Sequence, residues 1–397
     1  MKVSIVVPVF NDLDYLLELL DSLIKQTKKP QEIVIIDSSI ECSQAEISNK
    51  LKNEPIKLVY KNIKPSYAGK SLNLGINLAS NKIIGFLDTK TIPRDSWVEH
   101  YLGEMEMSGC DVIFGLTSYE ALHPFQKILK AASYGNIGHE SVPGTMIKRE
   151  FIQPQKSFRE DLRAAYDLEW REEVKGRTNW LIPTNSLIVH SKLPTSIFES
   201  VKKYFIYAFH TAKARANTDL KQIYFSLFLL LTAILVPKWN QIVAGWEWEQ
   251  SPFYIADITK IYILSILILL LLMTVLKRLF PQENQRPIFY NVLSIIVLIF
   301  VSLSIYNWNE VLANWVETAV LYVPHITKIY IFLIISFSLV YRGLYRPIKW
   351  LESREYLFPF NWIRVGLLGL LLDFTKAPGY VLGAFIELFK PTYNVKK

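Results

Sequence analysis

The chain has 397 residues, too many for one ordinary core and enough for two or three structural units. It is 51% hydrophobic, 13% aromatic and 20% charged, which excludes a disordered chain and falls below the charge usual for soluble domains. The net charge of +8 comes from 44 basic and 36 acidic residues without a basic block, so no nucleic-acid partner is expected, and two cysteines, Cys42 and Cys110, exclude a disulfide framework and a cysteine zinc cluster.

Residues 1–200 read as an α/β protein. Lys2 to Phe10 is a short β-branched run interrupted by Pro8 and followed by Asn11, Asp12 and Asp14. It lacks a small-residue cleavage site, so a buried parallel strand explains it better than a signal peptide. Helical spacing follows over 13–27 through Leu16, Leu19, Leu20 and Leu23. Glu32 to Asp37 is a second buried strand, Ile56 to Tyr60 a third, Ser71 to Ala79 a helix, and Lys82 to Asp88 a fourth strand. Alternating strands and helices imply a parallel sheet, and ligands of such sheets sit beyond the carboxyl ends of the strands. Asn11, Asp37 and Asp88 share that rim. One such residue alone is an ordinary turn former; three favour a site.

In order and spacing, Val6-Val7-Pro8-Val9-Phe10-Asn11, Gln26 before Pro30, Glu32 to Ser39, Ala68 to Ile76, Ile84 to Asp88, Pro93 and Trp97 resemble the family 2 glycosyltransferases over roughly residues 1–190. The resemblance implies a GT-A fold, a Rossmann-like mixed sheet, and a nucleotide-diphosphate sugar as donor. It assigns donor binding to Pro8, Asn11, Asp37, Gly69, Lys70, Asn73, Asp88 and Lys90. Gly69 and Lys70 open a helix, where amides and an ammonium suit a diphosphate; the alternative for Lys70 is a solvated surface lysine. Asp88 matches the first acid of the family's Asp-x-Asp metal motif, which here reads Asp88-Thr89-Lys90. A divalent cation, magnesium or manganese, is expected at Asp88, although Lys90 replaces one ligand and repels a cation; Lys90 either meets the phosphates itself or points away. His190 is a weaker metal candidate, since a lone histidine is more often packed or hydrogen-bonded, and the same holds for His139.

The resemblance places the acceptor side in 138–176. Gly144 and Thr145 resemble the segment lining the sugar pocket, with Tyr166 and Trp170 beside it. Family spacing from Phe158 puts the catalytic pair at Tyr166-Asp167, so Asp167 is the expected base of an inverting transfer, with Asp161 as the fallback. Without the resemblance, 158–175 reads as an amphipathic surface helix rich in Glu-Arg pairs.

Four apolar runs follow, at 222–237, 261–276, 287–309 and 318–341, the last interrupted only by Lys328. Two fall short of the roughly 20 residues that cross about 30 Å, but flanking lysines and aromatics extend them. Trp239-Asn240 recurs at Trp308-Asn309, and Ile258 to Ile263 recurs at Ile326 to Ile331, so the hairpin is read as duplicated. Basic residues at 202–221, 277–286 and 342–349 flank these runs, whereas 306–325 has no lysine or arginine. The positive-inside rule therefore expects an integral plasma (inner) membrane protein with its catalytic domain in the cytoplasm. The expected organisation is a catalytic domain at 1–200, a linker or juxtamembrane helix at 201–220, four transmembrane helices over 221–341, and an interfacial helix and tail over 342–397. The apolar stretch between Arg364 and Asp373 is too short to span unless one of those charges is buried.

The leading function is a membrane-bound inverting glycosyltransferase acting on a lipid-linked or membrane-proximal acceptor. The alternatives are a processive polysaccharide synthase, disfavoured by the lack of a Gln-x-x-Arg-Trp element, and a noncatalytic scaffold subunit, suggested by Lys90 and Tyr166.

Overall fold

The computed structural model describes residues 1–42, 44–152, 157–214, 336 and 338–388. The four expected membrane spans and the duplicated hairpin therefore lie almost wholly outside the described residues.

The first half alternates as read from the sequence: β1 (Val3–Val9), α1 (Leu13–Ile24), β2 (Glu32–Asp37), α2 (Gln44–Leu51), β3 (Lys57–Asn62), α3 (Ala68–Leu78), β4 (Ile83–Phe86), β5 (Thr91–Pro93) and α4 (Trp97–Ser108). Then come β6 (Val112–Tyr119), α5 (Pro124–Ser133), β7 (His139–Lys148), α6 (Leu168–Arg177), β8 (Trp180–Leu181), β9 (Ile188–His190) and α7 (Ile197–Lys213). The sheet runs β3-β2-β1-β4-β7-β6-β9-β5, with β8 beside β6. Its β3-β2-β1-β4 half is parallel, and β7 joins antiparallel on β4 and β6. This is the mixed GT-A sheet that the resemblance implies.

Strand period explains the two cores. Val3, Ile5, Val7, Ile33 and Ile35 face α1 and α4, meeting Leu16, Leu19, Leu20, Trp97 and Tyr101. Val6, Val34 and Ile36 face the other way, onto Leu72 and Ile76 of α3 and onto Phe158 and Trp170. With both faces covered, β1 and β2 read as continuous apolar runs rather than alternating ones.

One charge sits inside this sheet. Glu32, only 1% exposed, accepts from Ser4 Oγ at 2.6 Å, from Ser80 N at 2.7 Å and from Ser80 Oγ at 2.8 Å, and pairs with Lys57 Nζ at 2.8 Å. Burial pushes its carboxyl pKa up, but these donors outweigh burial and hold it down at about 2.

In the second half, the region expected to be a linker or juxtamembrane helix holds the helix Ile197–Lys213, with Tyr204, Ala208 and Ala212 buried. Its start is set by Ser196, whose hydroxyl accepts from Glu199 N at 3.2 Å, while Glu199 Oε2 accepts from Thr195 N at 2.9 Å. The short apolar stretch near 365–372 belongs to a far longer helix, α8 (Asn361–Leu388). Over Asn361–Glu387 it is long and apolar enough to cross a membrane. It packs along α7, α5 and the segment Tyr341–Tyr345. Asp373 is buried in it, as spanning would require, but is paired with Arg342 Nε at 2.7 Å and Lys376 Nζ at 3.0 Å. Arg364 is exposed.

Small residues set the α7–α8 distance. A Cβ at Gly383 would lie 2.2 Å from the Phe209 carbonyl oxygen, and one at Gly379 would lie 2.7 Å from that of Phe205. Gly383→Leu is expected to force the two helices apart, at about 1–3 kcal/mol, and to lower the unfolding temperature of the detergent-solubilised full chain.

Because the folded pKa of Glu32 lies below its unfolded value of 4.5, its contribution is complete above that value and is lost as pH falls toward about 2. Urea titrations across that window should show wild type losing stability on acidification that Glu32→Gln, already weaker at neutral pH, does not lose.

Candidate active site

The rim is built where β1, β2 and β4 end. Asn11 sits in the left-handed region at φ 53, which asparagine tolerates better than most residues. Its N–H donates to Ser39 Oγ at 2.7 Å, and its Oδ1 accepts from Ile40 N at 3.3 Å, tying the loop after β1 to the loop after β2. Pro8, in β1, is paired with Ile36 one step inside the rim. Asp37 is fully buried: Oδ1 accepts from Ser39 N at 2.9 Å, and Oδ2 accepts from Tyr60 OH at 2.6 Å. Burial and then this carboxylate push the Tyr60 phenol far above its ordinary pKa. Asp37 thus braces the rim, and only its remaining lone pairs are open to a nucleoside.

Asp88 follows β4 in a tight turn. Its Oδ1 accepts from Lys90 N at 2.9 Å, and its carbonyl accepts from Thr91 Oγ1 at 2.7 Å. Oδ2 makes no hydrogen bond among the described residues. The Lys90 ammonium lies 3.2 Å from Asp12 Oδ2 and 5.4 Å from the centre of the Tyr15 ring. Divalent cations of this kind gather six or more oxygens. The described residues hold no cluster of three histidine, cysteine or acidic side chains suited to a metal. With Asp88 as the motif's one carboxylate and the nearby Asp12 already paired with Lys90, these residues are a poor fit for the expected cation.

His190, also considered as a ligand, ends β9 with its Nδ1 buried and unpartnered. Burial, then the charges of Lys203 and Lys90, hold its imidazole neutral, with a pKa lowered to about 3. His139 is a hydrogen-bonded packing residue: its Nε2 lies 2.8 Å from the Tyr134 carbonyl oxygen, and its ring meets Tyr119, Tyr134 and Trp350.

The other wall is the irregular segment before α6. Helix α3 begins at Ala68, earlier than the sequence suggested, so Gly69 and Lys70 lie in its first turn. Gly69 is needed because a Cβ there would come within 2.1 Å of the Arg159 carbonyl oxygen. Asn73, expected to face the donor, is turned to the same segment. Its Nδ2 donates to Phe158 O at 2.9 Å and Glu160 Oε1 at 3.0 Å, and its Oδ1 accepts from Phe158 N at 3.0 Å. Lys70 is exposed. Residues 157–167 are therefore a clamped loop, not the helix that charge spacing alone suggests.

Asp161 is half-exposed and held bidentately by Arg159, at 2.8 and 3.0 Å. Asp167 lies immediately before α6, one turn ahead of Arg171, whose Nε is 2.9 Å from Asp167 Oδ2. The Nε–H is not aimed along this line, so the pair is a charge contact more than an aligned hydrogen bond. Between the two acids stands Tyr166: burial raises its phenol pKa well above the ordinary value, and the charges of Asp167 and then Asp88 add to the shift.

The expected sugar-pocket residues divide. Tyr166 stands by the acids, whereas Thr145 is fully buried, bonded to Gly115 N and Ser141 O at 2.8 and 2.9 Å. Trp170, 2% exposed, packs at 4.7 Å on Phe158. Gly144 (φ 89) is also buried, and its carbonyl accepts from Trp97 Nε1 at 3.2 Å. These three support the wall from inside rather than line it.

Sequence reasoning missed the roof. On α7, burial followed by the charge of Lys90 lowers the Lys203 pKa to about 8, while Asp88 acts against that shift. The Lys203 ammonium lies 5.4 Å from the centre of the Tyr207 ring, one turn along. Asp88 acts on the Tyr207 phenol as well. Tyr119, stacked at 3.7 Å on Tyr134, closes the side near His190. The i, i+4 pair Lys203 and Tyr207 on an amphipathic stretch was the available signal. Beside the roof, Tyr67, Arg163, Phe205, Phe209 and Leu382 line an open cleft of about 260 Å³.

Residues 4–173 match the model for Glycosyl transferase family 2. An "Uncharacterized glycosyltransferase" of Rickettsia felis is 31% identical over 134 residues, which is 34% of this chain and 22% of that protein. A "Poly(ribitol-phosphate) beta-glucosyltransferase" of Bacillus spizizenii is 24% identical over 213 residues, covering 49% of this chain and 31% of that protein. The chain thus spans under a third of the length of both relatives. Among solved structures, S. aureus TarS 1-349 in complex with UDP-GlcNAc is 17% identical with TM-score 0.40, covering 78% of this chain and 92% of that one. The mannosyltransferase PcManGT from Pyrobaculum calidifontis, in complex with GDP-Man and Mn2+, is 14% identical with TM-score 0.41, covering 79% and 84%. Over residues 4–173 the chain is thus similar to glycosyl transferase family 2.

Proposed function

We propose that this protein transfers a sugar, with inversion, from a nucleotide-diphosphate sugar to a hydroxyl of a lipid-linked or membrane-proximal acceptor. The observation that supports the reading is the Phe158 ring, which meets Phe86 of β4 at 5.5 Å and Tyr166 at 6.0 Å and so holds the loop ahead of Asp167 against the strand that leads to Asp88.

In this reading the donor lies over the strand ends, with its nucleoside toward Asp37 and its diphosphate toward Asp88 and the lysines. Asp167 accepts the proton of the acceptor hydroxyl as that oxygen bonds to the anomeric carbon. The bond from that carbon to the diphosphate breaks on the opposite side, and its electron pair leaves on the diphosphate oxygen. Arg171 orients the Asp167 carboxylate; Tyr166 and the roof exclude water, which limits hydrolysis of the donor.

The cleft beside α7 supports an amphiphilic acceptor. Its walls are mainly apolar and aromatic, with Arg163 as a cation for an anionic head group. The apolar helix α8 and the uncharged runs between 222 and 341 support membrane attachment, and the distribution of basic residues supports a cytoplasmic catalytic domain.

Purified full chain supplied with lipid extract and a panel of nucleotide sugars should release nucleoside diphosphate with one donor. Asp167→Asn should lower that turnover by about 10²–10⁴-fold while leaving the unfolding temperature close to wild type. Equal turnover in wild type and Asp167→Asn would remove the proposed base, and failure of both across the panel would favour a scaffold role.

Asn73→Ala should cost about 1–3 kcal/mol by leaving Phe158 N–H unpaired. It should reduce turnover more than nucleotide affinity, because the loop it frees carries Asp167. Urea unfolding and nucleotide titration of the same variant check both parts.

A further inference from the structure

We propose that Lys203 of α7 and Lys90 together neutralise the donor's diphosphate, in the place where a carboxylate-bound divalent cation would otherwise stand. The inference rests on the reading of the donor as a nucleotide-diphosphate sugar and goes beyond it by naming what carries the countercharge.

The first argument is the charge of the donor set. At the second position of the acid motif there is an ammonium, so the motif keeps one carboxylate, Asp88, and the nearby Asp12 is paired with Lys90. A cation beside Asp88 would meet the charge of Lys90 and, from α7, that of Lys203. An anion would be attracted by both lysines, against the repulsion of Asp88 and Asp12.

The second argument is that Lys203 is unpaired. No carboxylate of the described residues lies within ion-pair distance of it; the side chain is half-buried, with its ammonium 5.4 Å from the centre of the Tyr207 ring. An ammonium partly withdrawn from water without an anion carries a cost, which is offset when an anion arrives. Lys90 is half-committed: Asp12 sits 3.2 Å from its nitrogen, in a contact that remains part-exposed and is thereby weak.

The third argument is positional. Thr91 pairs with His190 across β5 and β9, which sets the turn bearing Lys90 beside the end of β9. Helix α7 passes over the same place, with Tyr204 packed among Tyr119 and Tyr134. The two lysines thus come from separate elements, the turn after β4 and helix α7.

In the transfer step the C1–O bond to the diphosphate breaks, its electron pair stays on the diphosphate oxygen, the acceptor oxygen bonds to C1, and the acceptor proton goes to Asp167. The charge gained by the leaving group is met by the two ammonium groups, so neither a proton nor a metal is needed there.

The test is calorimetric titration of the detergent-solubilised full chain with UDP and with GDP, each in EDTA and in manganese. The expected result is binding of one nucleotide whose affinity changes by less than about twofold between the two buffers. Lys203→Met should weaken binding about tenfold or more in both buffers, and Lys203→Arg should keep most of it. Lys90→Asp, which restores the second acid, should make binding depend on manganese, a change that a merely structural role would not produce. Binding by wild type only in manganese overturns the proposal, as does unchanged affinity in a folded Lys203→Met. If neither nucleotide binds in either buffer, the donor reading itself falls, and this proposal with it.

Discussion

Everything at the site depends on the side-chain amide of Asn73. The sheet rim and the loop carrying Asp167 come from distant parts of the chain, and nothing in strand pairing joins them. Asn73 does so by using its amide in both directions, donating to Phe158 O and accepting from Phe158 N. Gly69, one turn earlier, allows the loop backbone to lie directly on α3. Behind the loop, Phe158 and Trp170 join Phe86 in an edge-on aromatic cluster. Loss of the amide would therefore loosen a wall, not a single contact. The hydrogen bonds are buried and fix a unique register, whereas the aromatic packing alone would tolerate sliding.

The electrostatics of the site follow from that closure. Burial raises the phenol pKa values of Tyr166, Tyr119 and Tyr207, and the charge of Asp88 adds to each shift. Such side chains are polar at one point and apolar elsewhere, so they hold little water while still offering hydroxyls to a sugar. In this setting charge interactions act at lower effective dielectric than at the surface. That is why exchanging an acid for a lysine beside Asp88 matters so much more than the same exchange on the exposed face of α6.

Much of this was legible in the sequence, and the exceptions have physical reasons. Continuous β-branched runs revealed β1, β2 and β4, because strands buried on both faces leave no alternation to misread. The strand-end acids followed from the same runs. What spacing does not encode is the direction of a side chain. Asn73, Thr145 and Trp170 lie at the positions the resemblance assigns to the donor or sugar, yet they point into the protein. Residues 157–167 have helical charge spacing, but tertiary hydrogen bonds to α3 hold them as a loop. The region of α7 was read as a linker or juxtamembrane helix because it adjoins the apolar runs, and a helix that covers a site has the same amphipathic pattern as one that lies on a membrane.

The last relation concerns α7 and α8. Helix α7 bears Lys203 and Tyr207 over the site on one side, and on the other it meets Gly379 and Gly383 of α8 backbone to backbone. Contacts that close leave no side chain to absorb relative motion, so displacement of α8 must either carry α7 with it or open a gap. Asp373, paired with Arg342 and Lys376, fixes α8 further against the helical segment around 338–345, which follows directly from the apolar runs. The roof of the site is thus fastened through α8 to the most apolar part of the chain. Lys203 is the point at which that attachment reaches the space above Asp88. A catalytic domain cut off after β9 would retain both acids and lose the roof, so α7, with α8 packed behind it, belongs with the site.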